Sequence, residues 1–182
     1  THDYESQVGY EEHMFLDRTF EGEKSNTEIV DGKLVLTAGS LSGSYTTNVI
    51  EVPNFTECVG SYSATSSTTE TCELKVRIRI GGKWTKYFKY RNFSFHKLSP
   101  LKNGYDNQTD TNAKMVEDEI KTTSGNADAF QLQLLINRSS ATEKGPVVTL
   151  LALAINYVNN PFTVDISGIP NEVKHDVPKL YQ

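Results

Sequence analysis

The sequence predicts an all-β fold: an antiparallel β-sandwich, jelly-roll-like, of about ten strands. Three observations lead there. Glu73, Lys75, Arg77 and Arg79 alternate with Leu74, Val76, Ile78 and Ile80, so a strand at this position carries one charged and one aliphatic face. Two-residue turn signals, Asp31-Gly32 and Gly81-Gly82, each join two such alternating runs. No stretch shows a convincing helical period, and no internal repeat is visible.

Taken in order, the stretch up to Glu12 is acidic and reads as an arm. Asp17-Arg18-Thr19-Phe20 reads as a short strand. Thr27-Glu28-Ile29-Val30 and Lys33-Leu34-Val35-Leu36-Thr37 form a hairpin about Asp31-Gly32. A strand from Ser44 to Val52 follows and is closed by Pro53, which cannot donate to a ladder. Cys58 to Ala64, Glu73 to Ile80 and Lys83 to Arg91 then predict a three-stranded meander whose exposed face is basic and aromatic. On alternation, Trp84, Phe88 and Tyr90 fall on the core face and Tyr87, Lys89 and Arg91 on the other. After a long polar connection from Ser99 to Asn112, Lys114 to Lys121 and Ala129 to Ile136 read as two strands, with a turn at Gly125 between them. Val147 to Tyr157 is the most apolar run. Leu and Ala there would suit a helix, but the preceding Pro146 and paired valines favour a buried strand.

The chain has 182 residues, enough for about one domain with a real core. The sandwich is expected at 17–158, after an acidic arm at 1–16 and before an extended linker at 159–182. No apolar run approaches the roughly 18 residues of a membrane span. The first residues lack the basic and apolar regions of a signal peptide, so any such peptide is expected to have been removed. A net charge of −5 argues against nucleic acid as the main partner. Charge is unevenly placed, however. Half of the 18 Lys and Arg residues lie between Glu73 and Lys102, while the first 31 residues hold nine acids. Either the acidic segment packs near the basic face, or that face meets an anionic ligand through Arg77, Arg79, Lys86, Tyr87, Lys89 and Arg91.

Other chemistry is thin. The four histidines show no metal spacing, and no glycine-rich phosphate loop occurs, so no cofactor is expected. Asp106, Asp110 and Asn112 follow the ligand order of a calcium loop, but Thr111 stands where its sharp turn needs glycine. A polar connection is the favoured reading. Glu117 and Glu119 share a face if they lie on one strand, whereas glycosidase carboxylates face each other across a sugar. Hairpin pairing would set Cys58 well down its strand from the partner of Cys72, so two thiols are expected rather than a disulfide.

Several passages together resemble the N-terminal β-sandwich module of secreted bacterial proteins related to peptidase family C39, which are papain-like cysteine peptidases. They are Ser44-Tyr45-Thr46-Thr47, the run from Phe55 through Cys58-Val59 to Ser61-Tyr62-Ser63-Ala64, Lys75 to Arg79, Gly82 to Tyr87, and Ala127 to Leu132. Thr85 and Tyr87 stand where serine and tryptophan are more usual. Asp176-Val177-Pro178-Lys179-Leu180-Tyr181-Gln182 resembles the opening of the peptidase domain, where a glutamine shortly before the nucleophilic cysteine helps form the oxyanion hole. The resemblance implies that Gln182 is that glutamine, and that the partner of this module is its own downstream peptidase domain. It implies a secreted or cell-surface bacterial protein. Neither Cys58 nor Cys72 has a sequence neighbourhood that would activate a thiolate. The expected function is therefore that of a non-catalytic accessory domain binding cell-wall glycan or another polyanion. The alternatives are a purely structural domain packing on its peptidase and a glycoside-acting sandwich enzyme using Glu117 or Glu119.

Overall fold

The computed structural model describes residues 13–65, 71–90 and 108–159. These form thirteen strands and no helix: β1 (Met14–Asp17), β2 (Glu23–Ser25), β3 (Thr27–Val30), β4 (Lys33–Leu36), β5 (Ser42–Thr46), β6 (Ile50–Thr65), β7 (Thr71–Ile80), β8 (Lys83–Trp84), β9 (Phe88–Lys89), β10 (Ala113–Val116), β11 (Glu119–Thr122), β12 (Ala127–Asn137) and β13 (Val147–Tyr157). Every pairing is antiparallel. One layer runs β2-β5-β12-β7, with β8 and β9 beyond β7. The other runs β10-β11-β6-β13, with β1 and the β4-β3 hairpin beyond β13. The all-β sandwich expected from the sequence is what the chain forms.

The two layers are continuous through β6. Its first residues pair with β12, and from Phe55 onward it runs along β13, with Phe55 opposite both Ala127 and Tyr157. Pro53 does not end this strand. From Glu51 to Phe55 the strand takes four steps while β12 takes two, from Ala129 to Ala127. Proline sits in that irregular stretch, where its missing N–H is not asked for.

The expected meander is half correct. The β7–β8 hairpin closes over Gly81 and Gly82, both at positive φ (58° and 77°). But β6 and β7 do not pair. Both edges of β6 are taken, by β13 and β11, and those of β7 by β12 and by β8 and β9. The two strands instead face each other across the core. There Leu74, Val76, Ile78 and Ile80 are buried with Cys58, Tyr62 and Cys72, as the alternation required. Gly60 permits the approach. A Cβ at that position would stand 2.9 Å from Leu74 Cδ2, 3.0 Å from Val76 Cγ2 and 3.2 Å from Tyr90 Cε2. The Tyr90 ring cannot yield readily, because its hydroxyl accepts from Gly60 N (2.9 Å) and donates to Asp118 O (2.7 Å). Gly60→Ala should therefore destabilise the domain by about 1–3 kcal/mol, read as a lowered urea midpoint. An unchanged midpoint would show that the layers have slack.

Three further expectations are corrected. The first strand is Met14–Asp17 and not Asp17–Phe20, because Phe20 turns the chain at φ 53°. The stretch from Ser44 to Val52 lies along β12 but is broken around Thr47, so it contributes β5 and the start of β6. Lys114 to Lys121 is a tight hairpin, β10–β11, with Glu117 in the turn at φ 57°. The Val147–Tyr157 run is a strand, buried on both faces over much of its length.

Candidate functional site

The alternation of β7 sends Glu73, Lys75, Arg77 and Arg79 outward, each partly exposed. Their cross-strand partners on β12 are Leu135, Gln133, Gln131 and Ala129. On the other side Trp84 stands opposite Arg79 and Lys89 opposite Lys75. Direct cross-strand partners share a face. Trp84 is therefore on the charged outer face, not in the core where alternation alone placed it. A bulge causes the difference. Between Trp84 and Phe88 the chain takes four steps while β7 takes three, from Arg79 to Val76. Thr85 faces Ile78, donating its N–H to Ile78 O (2.9 Å) and accepting the Ile78 N–H on Oγ1 (3.1 Å). Lys86 and Tyr87 are then both set against Arg77, and the in–out order of the strand shifts by one. Phe88 is in the core, as expected.

The result is a stacked arginine. The Arg77 guanidinium carbon lies 4.5 Å from the Trp84 ring centroid and 4.9 Å from that of Tyr87. Nε of Arg77 donates to Gln131 Oε1 (3.0 Å), and Nη2 donates to the same oxygen. Gln131 cannot be turned round, because its Nε2 donates to Thr47 O (2.9 Å). Burial pushes the Tyr87 phenol up, with Arg77 opposing the shift.

Arg79 is differently placed. It donates to Asp128 (2.9 Å) and Glu51 (3.0 Å), and these bonds raise its pKa further. A bulge at Asp128 turns that carboxylate onto Arg79, while Ala129, which lacks a long side chain, lets the guanidinium reach across to Glu51. Of the six residues expected to contact a ligand, Arg77, Tyr87 and Lys89 lie on or beside one face, and Lys86 is exposed at the bulge. Arg79 is engaged by its own acids, and Arg91 lies outside the described residues. Trp84, Gln131, Glu51 and Asp128 were not foreseen as part of the site.

Residues 12–156 match the family described as the peptidase C39 N-terminal domain. The chain belongs to that family. No curated protein matches it. Among solved structures it is similar to a Paenibacillus sp. cycloisomaltooligosaccharide glucanotransferase complexed with cycloisomaltoheptaose, with 11% identity and a TM-score of 0.37. That match covers 85% of this chain and 19% of the other. TmCBM61 in complex with β-1,4-galactotriose is 11% identical with a TM-score of 0.35, over 78% of this chain and 82% of that one. The Emp46p carbohydrate recognition domain is 10% identical with a TM-score of 0.35, over 84% and 91%. At that degree of likeness none of the three says what this peptidase C39 N-terminal domain binds.

The remaining candidates fall in separate places. In this peptidase C39 N-terminal domain Cys58 and Cys72 form no disulfide, and both are buried. Burial pushes the Cys58 thiol far up, with Glu119 and Glu57 adding to the effect, so it is held away from its nucleophilic form. Glu117 occupies the β10–β11 turn, and Glu119 lies 3.4 Å from Lys121, so the two do not form the single-strand pair considered above. Asp110 accepts the N–H groups of Lys86 (2.6 Å) and Thr111 (2.7 Å), which hold its carboxyl below the usual range. With Gln108, whose amide bonds both N–H and C=O of Lys89, it closes the outer edge of β9. That edge role accounts for Asp110, and Asn112 accepts Thr123 N–H at its backbone carbonyl. Among the described residues no cluster of His, Cys, Asp or Glu could hold a metal. Asp106 and Gln182 lie outside the described residues.

Proposed function

We propose that this chain is the non-catalytic accessory domain of a secreted bacterial cysteine peptidase, and that the outer face of β7, β8, β9 and β12 binds an anionic cell-surface polymer. The observation that carries the reading is the excess of positive charge there. Among the described residues neither Arg77 nor Lys89 forms an ion pair with a carboxylate, although Arg79 beside them has two, and Lys86 has only Asp110 near it. Unneutralised cations beside two half-buried aromatic rings suit an acidic polymer better than a packed protein core. Family membership supports the accessory role, and the buried thiols support the absence of peptidase chemistry in this chain.

The test is a titration with polygalacturonate and with a glycerol-phosphate polymer at low and at physiological salt. Binding is expected, and it should weaken steeply as salt rises, because charge pairing releases counterions. Binding to neither polymer, or binding indifferent to salt, would leave the domain with a packing role on its peptidase. The same chain should hydrolyse no peptide above buffer, and iodoacetamide-sensitive peptidase activity would overturn the non-catalytic part.

A further inference from the structure

Resting on that reading, we infer that the terminal edge of the Arg77 guanidinium is the anion-reading element of the face, taking the carboxylate or phosphate of an acidic saccharide end-on. A guanidinium has two π-faces and five N–H donors in one plane. At Arg77 the group lies over the Trp84 and Tyr87 rings, its carbon 4.5 Å and 4.9 Å from their centroids. The Nε side of the plane is taken as well, since Nε and Nη2 both donate to Gln131 Oε1. Among the described residues nothing accepts from Nη1, and one N–H of Nη2 is left over. What remains is the Nη1–Nη2 edge, a fork that matches two oxygens of a planar carboxylate or of a phosphate.

The surroundings make this fork rigid rather than incidental. The guanidinium is held over two rings and bonded to Gln131, which is itself anchored by its bond to Thr47. A long side chain so held loses little further freedom when it binds. Arg79, one turn of the alternation away, shows the contrast in charge: its Nε and Nη2 bond the carboxylates of Asp128 and Glu51, where those of Arg77 bond a neutral amide oxygen. The sheet thus holds one arginine whose charge is answered by two carboxylates and one bonded only to a neutral amide. Lys89, opposite Lys75 on the same face, adds positive potential without competing for the fork.

Trp84 is the single tryptophan of the chain and touches the fork, so its emission reports on the site directly. The full chain would be titrated with tri-galacturonate, a glycerol-phosphate oligomer of similar length, and neutral galactotriose, following that emission. The expected result is saturable quenching or shift by one or both acidic oligomers and none by the neutral one. A response to tri-galacturonate alone assigns a carboxylate, and a response to the phosphate oligomer alone assigns a phosphate. Arg77→Lys keeps the charge but removes the fork, and should weaken affinity about tenfold or more. Gln131→Glu supplies a resident carboxylate to the same donors and should abolish binding while Arg77 stays in place. Lys33→Gln, a cation on the other layer, should leave affinity unchanged. Thermal melting of each variant confirms that it folds. If Arg77→Lys and Gln131→Glu bind as well as the parent while salt-sensitive binding persists, the fork is overturned and the accessory reading stands. If no acidic oligomer or polymer binds, the fork and the polymer-binding reading both fall, and a packing role on the peptidase is left.

Discussion

Asp17→Ala should lower the stability of the domain by about 2–4 kcal/mol, because a buried carboxylate there is the common acceptor for three donors. Asp17 closes β1 in one layer, and the chain then crosses to β2 in the other. Its Oδ1 accepts the N–H groups of Phe20 (2.9 Å) and Thr19 (3.3 Å), and its Oδ2 accepts the Tyr45 hydroxyl (2.5 Å). Tyr45 in turn accepts Gly22 N–H (3.0 Å), so a single side chain fixes the whole crossing. Burial, and then the Asp17 charge, hold the Tyr45 phenol far above its usual range, so it remains a donor at any working pH. Alanine would leave the Phe20 N–H and the Tyr45 hydroxyl without their acceptor, in a place only 5% exposed at Asp17 and 1% at Tyr45. Unmade bonds in such a site cost more than made ones contribute. Urea denaturation followed by Trp84 emission measures the loss, and Tyr45→Phe in the same background gives the coupling. Singles that add without coupling would show that the two groups act separately. A loss under about 0.5 kcal/mol, the range of ordinary surface changes, would show that the crossing rebuilds itself around water.

The parts of the fold that were legible are those in which burial repeats at a fixed period. β7, β13 and β4 follow their patterns because β7 and β4 pack one face on an apolar layer and β13 packs both. β3 is recovered through its turn alone and leaves Ile29 and Val30 exposed. What could not be read is which strands are neighbours. The polar loop after Thr65 resembled a hairpin, but a loop says nothing about whether the edges on either side are still free, and the partners of β6 come from much later in the chain. The site was partly legible for the same reason. Arg77 was placed on the outer face by strict alternation, whereas Trp84 was misplaced because one bulge shifts every residue on one side of it. Two local signs of such bulges are visible in hindsight: adjacent aromatics at Tyr87-Phe88, and adjacent apolar residues at Ala129-Phe130 after Asp128. Each breaks a period of two. Gln131 carried no signal, since its role depends on a bond to Thr47, 84 positions earlier.

Phe130→Ala should have the largest effect of all, about 3–5 kcal/mol, the range for truncating a buried aromatic. Phe130 is fully buried on β12, opposite Ile78 of β7 on one side and Ile50 of β6 on the other. Its ring meets Phe15 edge-on, with centroids 5.1 Å apart at 71°, and Phe55 at 6.5 Å and 76°. Phe15 belongs to β1 in the opposite layer, and Phe55 is the residue at which β6 passes from one layer to the other. The ring therefore joins both layers and the strand that connects them. Edge-to-face contacts of this kind add about 0.5–1.5 kcal/mol beyond the area they bury. Alanine would leave a cavity walled by backbone in ladders on both layers, which cannot close without breaking register. Phe130→Leu keeps most of the volume and should cost appreciably less, so the difference between the two variants isolates the cavity. Since small domains are stable by only about 5–15 kcal/mol, the alanine variant should lose a large share of its margin, and its melting temperature should fall well below that of the leucine variant. Equal melting temperatures for the two would mean that the layers collapse onto the vacancy, and that the aromatic cluster does not hold them apart.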